Sequence, residues 1–325
     1  MYIFLTKCEI LIRNSDNLRP KIAKFIFSSY LCIAKTNPND RSKQNCMENR
    51  PMFIRCGGQL VDLRQPVFMA IVNATDDSFF AASRGSSPER LKELLLAAEN
   101  SQAALIDIGA CSTRPAVQAG GNNKGSKEQT PALASAEQEW QRLQQALTIA
   151  RDLGISKPLS VDTFRPEIAE RAIREFGVDI INDISGGSDE MFALIADTRV
   201  PYVLTYNDPE YNLSHETIET EHVVDFLGRR IDDLRRRGAG DIIIDPGFGF
   251  TQTVSQSLDL LNRLHELLCL ECPILVGISR KRMAYQPAGK TPETCLEETI
   301  ALERKALCHG AHIIRCHDVG YTRVY

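Results

Sequence analysis

Short apolar runs alternate with longer amphipathic stretches along the chain from residue 60 onwards. The amphipathic stretches repeat their apolar positions every three or four residues, which predicts helices. The short runs are apolar throughout, as in strands that are buried on both faces of a parallel sheet. Eight strands are predicted, at Phe68–Asn73, Leu105–Gly109, Leu159–Asp162, Ile180–Asp183, Tyr202–Tyr206, Ile242–Asp245, Ile274–Gly277 and Ile313–His317. Helices are predicted between them, at Pro88–Ser101, Ala136–Asp152, Pro166–Phe176, residues 190–198, Glu216–Arg237, Val254–Leu268 and Glu293–His309.

This alternation predicts an α/β fold of βαβ units around a parallel sheet. Eight units in roughly 260 residues match the size of a (β/α)8 TIM barrel. A doubly wound open sheet should instead carry a glycine-rich dinucleotide loop after its first strand. The segment there is Asn73-Ala-Thr-Asp-Asp-Ser-Phe, which has no glycine. We therefore predict one TIM-barrel domain over residues 51–325.

Polar side chains stand at the carboxyl ends of nearly all the predicted strands. In a TIM barrel these ends converge on one rim, where the active site lies. Capping of the next helix would explain any one of them, but several precede loops rather than helices. The rim is predicted to contain Asn73, Asp107, Asp162, Asn182, Asp245, Ser279 and His317.

Composition and charge narrow the class of protein. The chain has 325 residues, of which 43% are hydrophobic and 25% charged, as in ordinary globular proteins. A net charge of −4 argues against nucleic acid as the main partner, and no apolar run is long enough to cross a membrane. Residues 1–50 are basic and without a clear period. We expect them to be a disordered extension or a non-native start, with translation beginning at Met47 or Met52.

The ten cysteines are scattered, and only Cys269 and Cys272 form a C-x-x-C pair. No second pair completes a zinc site. A chain of this length does not need a disulfide framework, so reduced thiols and a cytoplasmic location are expected.

The acidic and amide residues of the rim suggest a ligand. Asp162 and Asp245 offer acceptors, and Asn182 both donates and accepts. A carboxylate can accept two parallel N–H bonds from an amidine-like edge, so this set suits a planar heterocycle such as a pterin or guanine. For each aspartate alone, a helix N-cap is the alternative.

Basic residues near the same rim suggest that the ligand carries an anionic group. Arg114, Arg315 and His317 could face phosphate oxygens together. Arg280 is interpreted instead as a surface or ion-paired residue. A Mg²⁺ ion that enters with a pyrophosphate needs few protein oxygens, and Asn73 could supply one.

Seven motifs in the order of one family lie at these strand ends, and the chain resembles dihydropteroate synthase from about Arg55 to Val319. The motifs are Asn73-Ala-Thr-Asp-Asp-Ser-Phe, Asp107-Ile-Gly-Ala-Cys-Ser-Thr-Arg-Pro, Ser160-Val-Asp-Thr, Ile181-Asn-Asp-Ile-Ser-Gly-Gly, Asp245-Pro-Gly-Phe-Gly-Phe, Val276-Gly-Ile-Ser-Arg-Lys and Ile314-Arg-Cys-His-Asp-Val. The resemblance implies that 6-hydroxymethyl-7,8-dihydropterin pyrophosphate condenses with p-aminobenzoate to give 7,8-dihydropteroate and pyrophosphate.

The resemblance also implies roles for individual residues. Three groups of residues are expected, one for each part of the two substrates. The pterin is held by Asp162, Asn182, Asp245 and Lys281, with Arg315 stacked on its ring. The pyrophosphate and its Mg²⁺ are held by the catalytic residues Asn73, Arg114 and His317, and the aminobenzoate pocket is shaped by Thr113, Pro115, Phe250 and Ser279. The family further implies a homodimer through the late helices.

Several departures from the family keep two other functions open. The first loop has Asp76 in place of Pro and lacks the usual Asp-Gly-Gly, Cys111 replaces a Glu, and Gln252 replaces a Lys. The sequence after Val319 is too short for the usual eighth helix, and Pro20–Ala34 could form a substitute. A degenerate, non-catalytic pterin-binding homologue is therefore one alternative. A methyltetrahydrofolate-dependent methyltransferase is the other.

Overall fold

The computed structural model describes residues 52–75, 87–111 and 134–322. Eight parallel strands form one sheet that curls into a barrel. These strands are β3 (Val67–Asn73), β4 (Ala103–Gly109), β5 (Leu159–Asp162), β6 (Ile180–Asp183), β7 (Tyr202–Thr205), β8 (Ile242–Asp245), β9 (Leu275–Val276) and β10 (Ile313–Cys316). Their order in the sheet is β8-β7-β6-β5-β4-β3-β10-β9. All eight predicted strands are confirmed, with ends that differ by at most two residues.

The strand register places corresponding rim positions side by side. Asn73 pairs with Gly109, Gly109 with Asp162, and Asp162 with Asn182. Residues at the ends of four neighbouring strands therefore form one level of the rim. The barrel closes where β8 meets β9, through an isolated parallel bridge between Ile244 and Ile274.

A short hairpin precedes the barrel and was not predicted from the sequence. Its strands β1 (Phe53–Cys56) and β2 (Gln59–Asp62) pair in antiparallel register. The turn uses Gly57 at φ 52°, and a Cβ there would lie 2.2 Å from the carboxylate of Asp179. Only glycine fits this approach, so the hairpin sits tightly against the barrel.

The hairpin closes the amino-terminal end of the barrel interior. Its residues Ile54 and Cys56 are buried in one cluster with side chains that point into the barrel. The inward side chains of this cluster are Met69, Leu105, Ile180, Val203, Ile243, Leu275 and Ile313. This apolar floor is filled as in other TIM barrels, so the space inside the barrel that can hold a polar ligand lies towards the opposite end.

Helices surround the barrel and bury their apolar faces against the outer side of the strands. The α-helices are α1 (Pro88–Glu99), α2 (Ala136–Asp152), α3 (Pro166–Phe176), α4 (Asp189–Thr198), α5 (Pro209–Ser214), α6 (Thr220–Arg237), α7 (Val254–Asn262), α8 (Arg282–Tyr285) and α9 (Leu296–Cys308), and a 3-10 helix covers Leu264–Leu270. Polar caps define several starts: Ser135 and Gln138 form a capping box on α2, as Thr253 and Gln256 do on α7.

Two predicted helices differ from the structure. The helix predicted from Glu216 begins only at Thr220, and the short helix α5, which was not predicted, ends before it at Ser214. The segment predicted to run from Val254 to Leu268 breaks after Asn262 and continues as the 3-10 helix. The apolar periodicity continues across this break, so it could not reveal it.

Residues 317–322 follow β10 without a helix, and they are the last described part of the chain. The hydroxyl of Thr322 donates to the buried carboxylate of Glu303 on α9 at 2.5 Å. The substitute helix predicted at Pro20–Ala34 and the extension over residues 1–50 lie outside the described residues. None of the helices in the described ranges combines the length and the apolar character that a membrane span requires.

Candidate active site

The predicted rim exists, and Arg315 of β10 lies at its centre. Its Nε donates to Asp107 at 2.6 Å and its Nη2 donates to Asp162 at 2.7 Å. The Arg315 side chain is 14% exposed, the Asp162 side chain 19%, and Asp107 is fully buried. Two carboxylates from separate strands therefore hold the guanidinium plane in one orientation across the barrel mouth.

Asp107 is a residue of this site to which sequence reasoning gave no separate role. Its Oδ2 also accepts from the side-chain amide of Asn182 at 3.1 Å, and its buried Oδ1 has no hydrogen-bond partner among the described residues. Asp107 lies one level below Asp162, because Gly109 is the residue that pairs with Asp162. A carboxylate two positions before a strand end, on the same face as the terminal position, is the signal that could have found it.

Asp162 is at the upper level of the rim, beside Asn73. A Cβ at Gly109 would lie 3.4 Å from Oδ1 of Asn73 and 3.7 Å from Cβ of Asp162, so the glycine keeps space between the two side chains. Desolvation raises the pKa of Asp162 to about 7, although Arg315 opposes the rise. The negative charges of Asp107 and Glu139 add to it.

Asp245 and Lys281 form the other side of the site. Asp245 accepts from the Gly247 amide at 2.7 Å, and burial raises its pKa, against the opposing charge of Lys281. Nζ of Lys281 donates to the carbonyl of Phe248 at 2.7 Å and lies 4.7 Å from the ring centroid of Phe250. Burial lowers the pKa of Lys281 to about 8, while Asp245 opposes this shift.

The two carboxylates predicted to bind the pterin, Asp162 and Asp245, therefore interact with the same two cations. Arg315 and Lys281 both lower the pKa of Asp162 and of Asp245 against the effect of burial. The placement required by the heterocycle hypothesis, with both carboxylates on one side of the molecule, is met.

His317 and Ser279 are neighbours at the edge of this set. The Ser279 hydroxyl accepts from the His317 amide at 3.2 Å and lies 3.1 Å from Nδ1 of the ring. Burial, followed by the charge of Arg315, lowers the pKa of His317 to about 3. The imidazole is therefore neutral near pH 7 and can offer an N–H donor to an anion, but no full charge.

Three predicted site residues lie outside the described residues. Thr113, Arg114 and Pro115 belong to the segment 112–133, so their positions are not described. Arg280 is described, and its interpretation as an ion-paired residue is confirmed. Its side chain is 5% exposed and donates to Asp318 at 2.7 and 2.9 Å.

A departure from the family at position 252 is accommodated within the structure. Gln252 is buried, donates from Nε2 to the carbonyl of Pro246 at 2.7 Å and accepts from the Ser257 hydroxyl at 2.9 Å. Gln252 therefore has a structural role, because it supports the loop that follows Asp245.

A separate cavity of about 700 Å³ lies at the opposite, amino-terminal end of the barrel. Phe53 and Arg64 line it, together with Cys269 and Cys272, and it shares no residue with the rim. Both cysteines are free, and Cys272 is buried with its pKa raised to about 11 by desolvation. The raised pKa of Cys272 does not match a redox motif, in which a thiol pKa is lowered.

Comparison with known proteins agrees with this geometry. The profile of the family described as pterin binding enzyme matches residues 69–317, which include all the described rim residues. The chain belongs to the pterin-binding enzyme family, among the dihydropteroate synthases. The dihydropteroate synthase of Streptococcus pyogenes is 34% identical over 271 residues, covering 81% of this chain and 94% of the relative. That of Bacillus subtilis is 32% identical over 261 residues, covering 77% and 83%.

Solved dihydropteroate synthases share the fold. The Thermus thermophilus enzyme in complex with 4-aminobenzoate is 30% identical, with a TM-score of 0.67, and the match covers 83% of this chain and 96% of that one. The Xanthomonas albilineans enzyme in complex with 7,8-dihydropteroate is 28% identical, with a TM-score of 0.66, and the match covers 83% and 94%. The predicted TIM barrel is confirmed by these neighbours.

Proposed function

We propose that the chain condenses 6-hydroxymethyl-7,8-dihydropterin pyrophosphate with p-aminobenzoate, giving 7,8-dihydropteroate and pyrophosphate. The enzyme is a transferase of folate synthesis. The observation that carries the proposal is the set of opposed charges at one rim, where Asp162 and Asp245 each interact with both Arg315 and Lys281 and Asp162 accepts from Arg315 directly. Relatives solved with 4-aminobenzoate and with 7,8-dihydropteroate support it.

The pterin would be held by groups that match its polar edge. Asp162 and Asp245 would accept N–H bonds from that edge, and Asn182 and Lys281 would meet its remaining polar atoms. Arg315 is already held in plane by Asp107 and Asp162. Its flat face is thus available to stack on a ring without further loss of side-chain freedom. These roles support high specificity for a planar, nitrogen-rich ring.

The chemical step needs charge stabilisation rather than a general base. The aryl amine is already a nucleophile, and it forms the C–N bond to the pterin methylene as the C–O bond to pyrophosphate breaks. The departing diphosphate carries the electron pair of that bond, and the amine then loses a proton to solvent. His317 in neutral form would donate to the diphosphate and, as the family resemblance implies, Arg114 would add a cation, so that the charge is stabilised as it develops. The enzyme otherwise contributes by orienting two substrates.

A Mg²⁺ ion fits this site only as a companion of the diphosphate. Within the described residues, no group of three or more His, Cys, Asp or Glu side chains is placed to hold a metal ion. Mg²⁺ commonly binds through substrate phosphates and one or two protein oxygens, and Asn73 at the rim would supply one amide oxygen. The ion would neutralise negative charge on the leaving group.

The test is turnover by the purified chain. We expect dihydropteroate to form from the pterin pyrophosphate and p-aminobenzoate, with a rate that falls when Mg²⁺ is removed by a chelator and returns when it is restored. Binding of the pterin without any product would instead identify the non-catalytic homologue, which the altered first loop around Asp76 favours. The methyltransferase alternative gains no support from relatives that are named dihydropteroate synthases.

Two further expectations belong to this proposal. The family resemblance predicts a homodimer, which light scattering on the purified chain would test. Six cysteines of the described residues are free, which supports a reducing, cytoplasmic location: Cys56, Cys111, Cys269, Cys272, Cys295 and Cys316. Localisation of a tagged chain would test that expectation.

A further inference from the structure

The loop that follows β8 places Phe250 beside the cation of Lys281. Residues 246–252 lead from β8 towards α7, and Nζ of Lys281 donates to the Phe248 carbonyl in this loop at 2.7 Å. The ring centroid of Phe250 lies 4.7 Å from the same Nζ. The Phe250 amide donates to the Gly247 carbonyl at 3.4 Å, which is a long and weak hydrogen bond. The position of Phe250 therefore depends on what holds its neighbours in the loop.

The next residue, Thr251, is bound by a buried side chain from the short helix α5. Nδ2 of Asn212 donates to the Thr251 hydroxyl at 2.8 Å, and Oδ1 of Asn212 accepts from the hydroxyl of Tyr206 at 2.8 Å. Asn212 is 2% exposed, and Tyr206 is fully buried. A buried amide whose oxygen and nitrogen are both bonded is fixed in one orientation. The Tyr206 hydroxyl thus keeps the NH2 group of Asn212 directed at the loop.

Contacts with two neighbouring helices fix the position of α5 itself. The ring of Tyr211 on α5 stacks on the ring of His222 on α6, with centroids 3.5 Å apart and planes 6° apart. Nε2 of His222 lies 3.0 Å from Oδ2 of Asp208, the N-cap of α5. From α7, Nε2 of Gln256 donates to the backbone carbonyl of Asn212 at 2.8 Å. Asn212 therefore holds the loop from a fixed position between α6 and α7.

We propose that Asn212 is a positioning residue of the condensation reaction. It holds Thr251, and with it the adjacent Phe250, at the distance from Lys281 that p-aminobenzoate requires. This inference rests on the proposed function, in which Phe250 shapes the aminobenzoate pocket. Asn212 acts through the loop and not by contact with a substrate. Tyr206 contributes by orienting the amide, because without its hydroxyl the Asn212 side chain can turn its NH2 group away from Thr251.

The experiment measures steady-state kinetics and pterin binding for two variants that each lose one hydroxyl. Thr251→Val removes the acceptor of the Asn212 amide with little change of shape, and Tyr206→Phe removes the donor that orients this amide. We expect kcat/KM for p-aminobenzoate to fall on the order of 10-fold in Thr251→Val, because small misplacement of substrate-contacting groups is costly. Tyr206→Phe should lower it by roughly threefold or more, since one hydrogen bond behind the loop is lost. The dissociation constant of a pterin should stay within about twofold of the wild type, because the predicted pterin contacts lie outside this loop.

The double variant tests whether the two hydroxyls act through Asn212. The Tyr206 hydroxyl should matter only because it directs the amide at Thr251, so Tyr206→Phe should add nothing once the Thr251 hydroxyl is gone. The double variant should then have the kcat/KM of Thr251→Val alone, which is the non-additivity expected within one hydrogen-bond network. Additive losses would show that the two hydroxyls act independently and would overturn the role of Asn212.

A matched control lies in the strand β7, directly before Tyr206. Tyr202 of this strand is fully buried like Tyr206, but its hydroxyl donates to Asp183 at 2.7 Å instead of to the side chain that holds the loop. Tyr202→Phe should lower the melting temperature about as much as Tyr206→Phe does, because each variant loses one buried hydrogen bond. It should leave kcat/KM for p-aminobenzoate unchanged. Circular dichroism would confirm that each variant is folded, and Tyr206→Phe gives an independent reading if Thr251→Val does not fold.

The outcomes separate this inference from the proposed function. A wild-type chain without turnover would refute the proposed function, and with it any role of Asn212 in the reaction. With an active wild type, an unchanged kcat/KM in Thr251→Val and Tyr206→Phe, or an equal loss in Tyr202→Phe, would overturn the positioning role alone. A loss in Thr251→Val and Tyr206→Phe that spares pterin affinity and is absent from Tyr202→Phe would establish it.

Discussion

Replacement of Asp162 by Asn tests the acceptor role on which the proposed pterin site depends. In the wild type, Oδ2 of Asp162 accepts from Nη2 of Arg315 at 2.7 Å. An asparagine must point its NH2 group either at this guanidinium or at the N–H edge of the pterin, so two donors meet in either orientation. The side chain is only 19% exposed, and water cannot fully relieve the contact. A lost charge-assisted bond of this kind costs roughly 1–3 kcal/mol, or about 5- to 150-fold in dissociation constant.

Calorimetric titration of a pterin into the wild type and Asp162→Asn would measure this change. Asp183 offers a matched control, because it is a buried aspartate at the end of the next strand. It accepts from the Tyr202 hydroxyl and the Ser185 amide, each at 2.7 Å, and it lies away from the rim cations. Asp183→Asn should bind the pterin as the wild type does. If Asp162→Asn also binds within twofold of the wild type, the assignment of the pterin site is wrong.

The pH dependence of pterin binding provides an internal check on the same residue. The pKa of Asp162 in the free protein is about 7, so the carboxylate becomes protonated as pH falls below neutrality. Pterin affinity should therefore decrease as pH falls through 7 in the wild type. In Asp162→Asn this decrease should be absent, because the variant has no proton to bind at that position. A wild-type affinity that is constant between pH 8 and 6 would contradict the reasoning.

Three predictions concern stability. Arg280→Ala should lower the free energy of unfolding by about 3–5 kcal/mol in urea, because it leaves Asp318 without its buried cation. Burial raises the pKa of Glu303 to about 7. The free energy of unfolding of the wild type should therefore decrease by on the order of 3 kcal/mol as pH rises from about 4.5 to 7. Glu303→Gln should remove this pH dependence. Burial lowers the pKa of His312 to about 4, so the free energy of unfolding should decrease as pH falls from 6.5 towards 4. The decrease should be smaller in His312→Asn, which keeps an acceptor for the Ile274 amide.

The control for these measurements is an exposed residue. Lys92 lies on the exposed face of α1, and Lys92→Ala should change the unfolding free energy by less than about 0.5 kcal/mol at any pH. An Arg280→Ala variant no less stable than this control would show that the buried pair is not stabilising. Parallel pH profiles of the wild type and Glu303→Gln, or of the wild type and His312→Asn, would mean that the buried group in question does not titrate as described.

The barrel could be predicted from sequence because its strands are apolar runs and its helices amphipathic, and both signals are local. The hairpin before the barrel was missed, although Gly57-Gly58 between two four-residue runs is a local signal for such a turn. Its strands are half exposed and carry charges such as Arg55, so they lack the apolar run that marked the barrel strands.

The site was partly predictable for the same reason. Residues at strand ends, such as Asp162 and Asp245, could be placed together once the barrel was predicted, because its parallel strands end at one rim. The pairing of residues that lie behind the rim could not be predicted. Glu139 and Arg165 are 26 positions apart, on different helical segments, and nothing in their spacing indicates that they pair. Only the packing of α2 against the strand end of β5 brings them together.

The closure of the barrel through one bridge, between Ile244 and Ile274, has a mechanical consequence. The other strand junctions are continuous ladders, so thermal opening of the cylinder should begin at this seam, and amide hydrogens of β8 and β9 should exchange with solvent before those of β3 and β4. Asp245 ends β8 and Lys281 follows β9, so the two residues lie on either side of this seam. A ligand that contacts both of them would hold the two strands together and slow the exchange of their amide hydrogens.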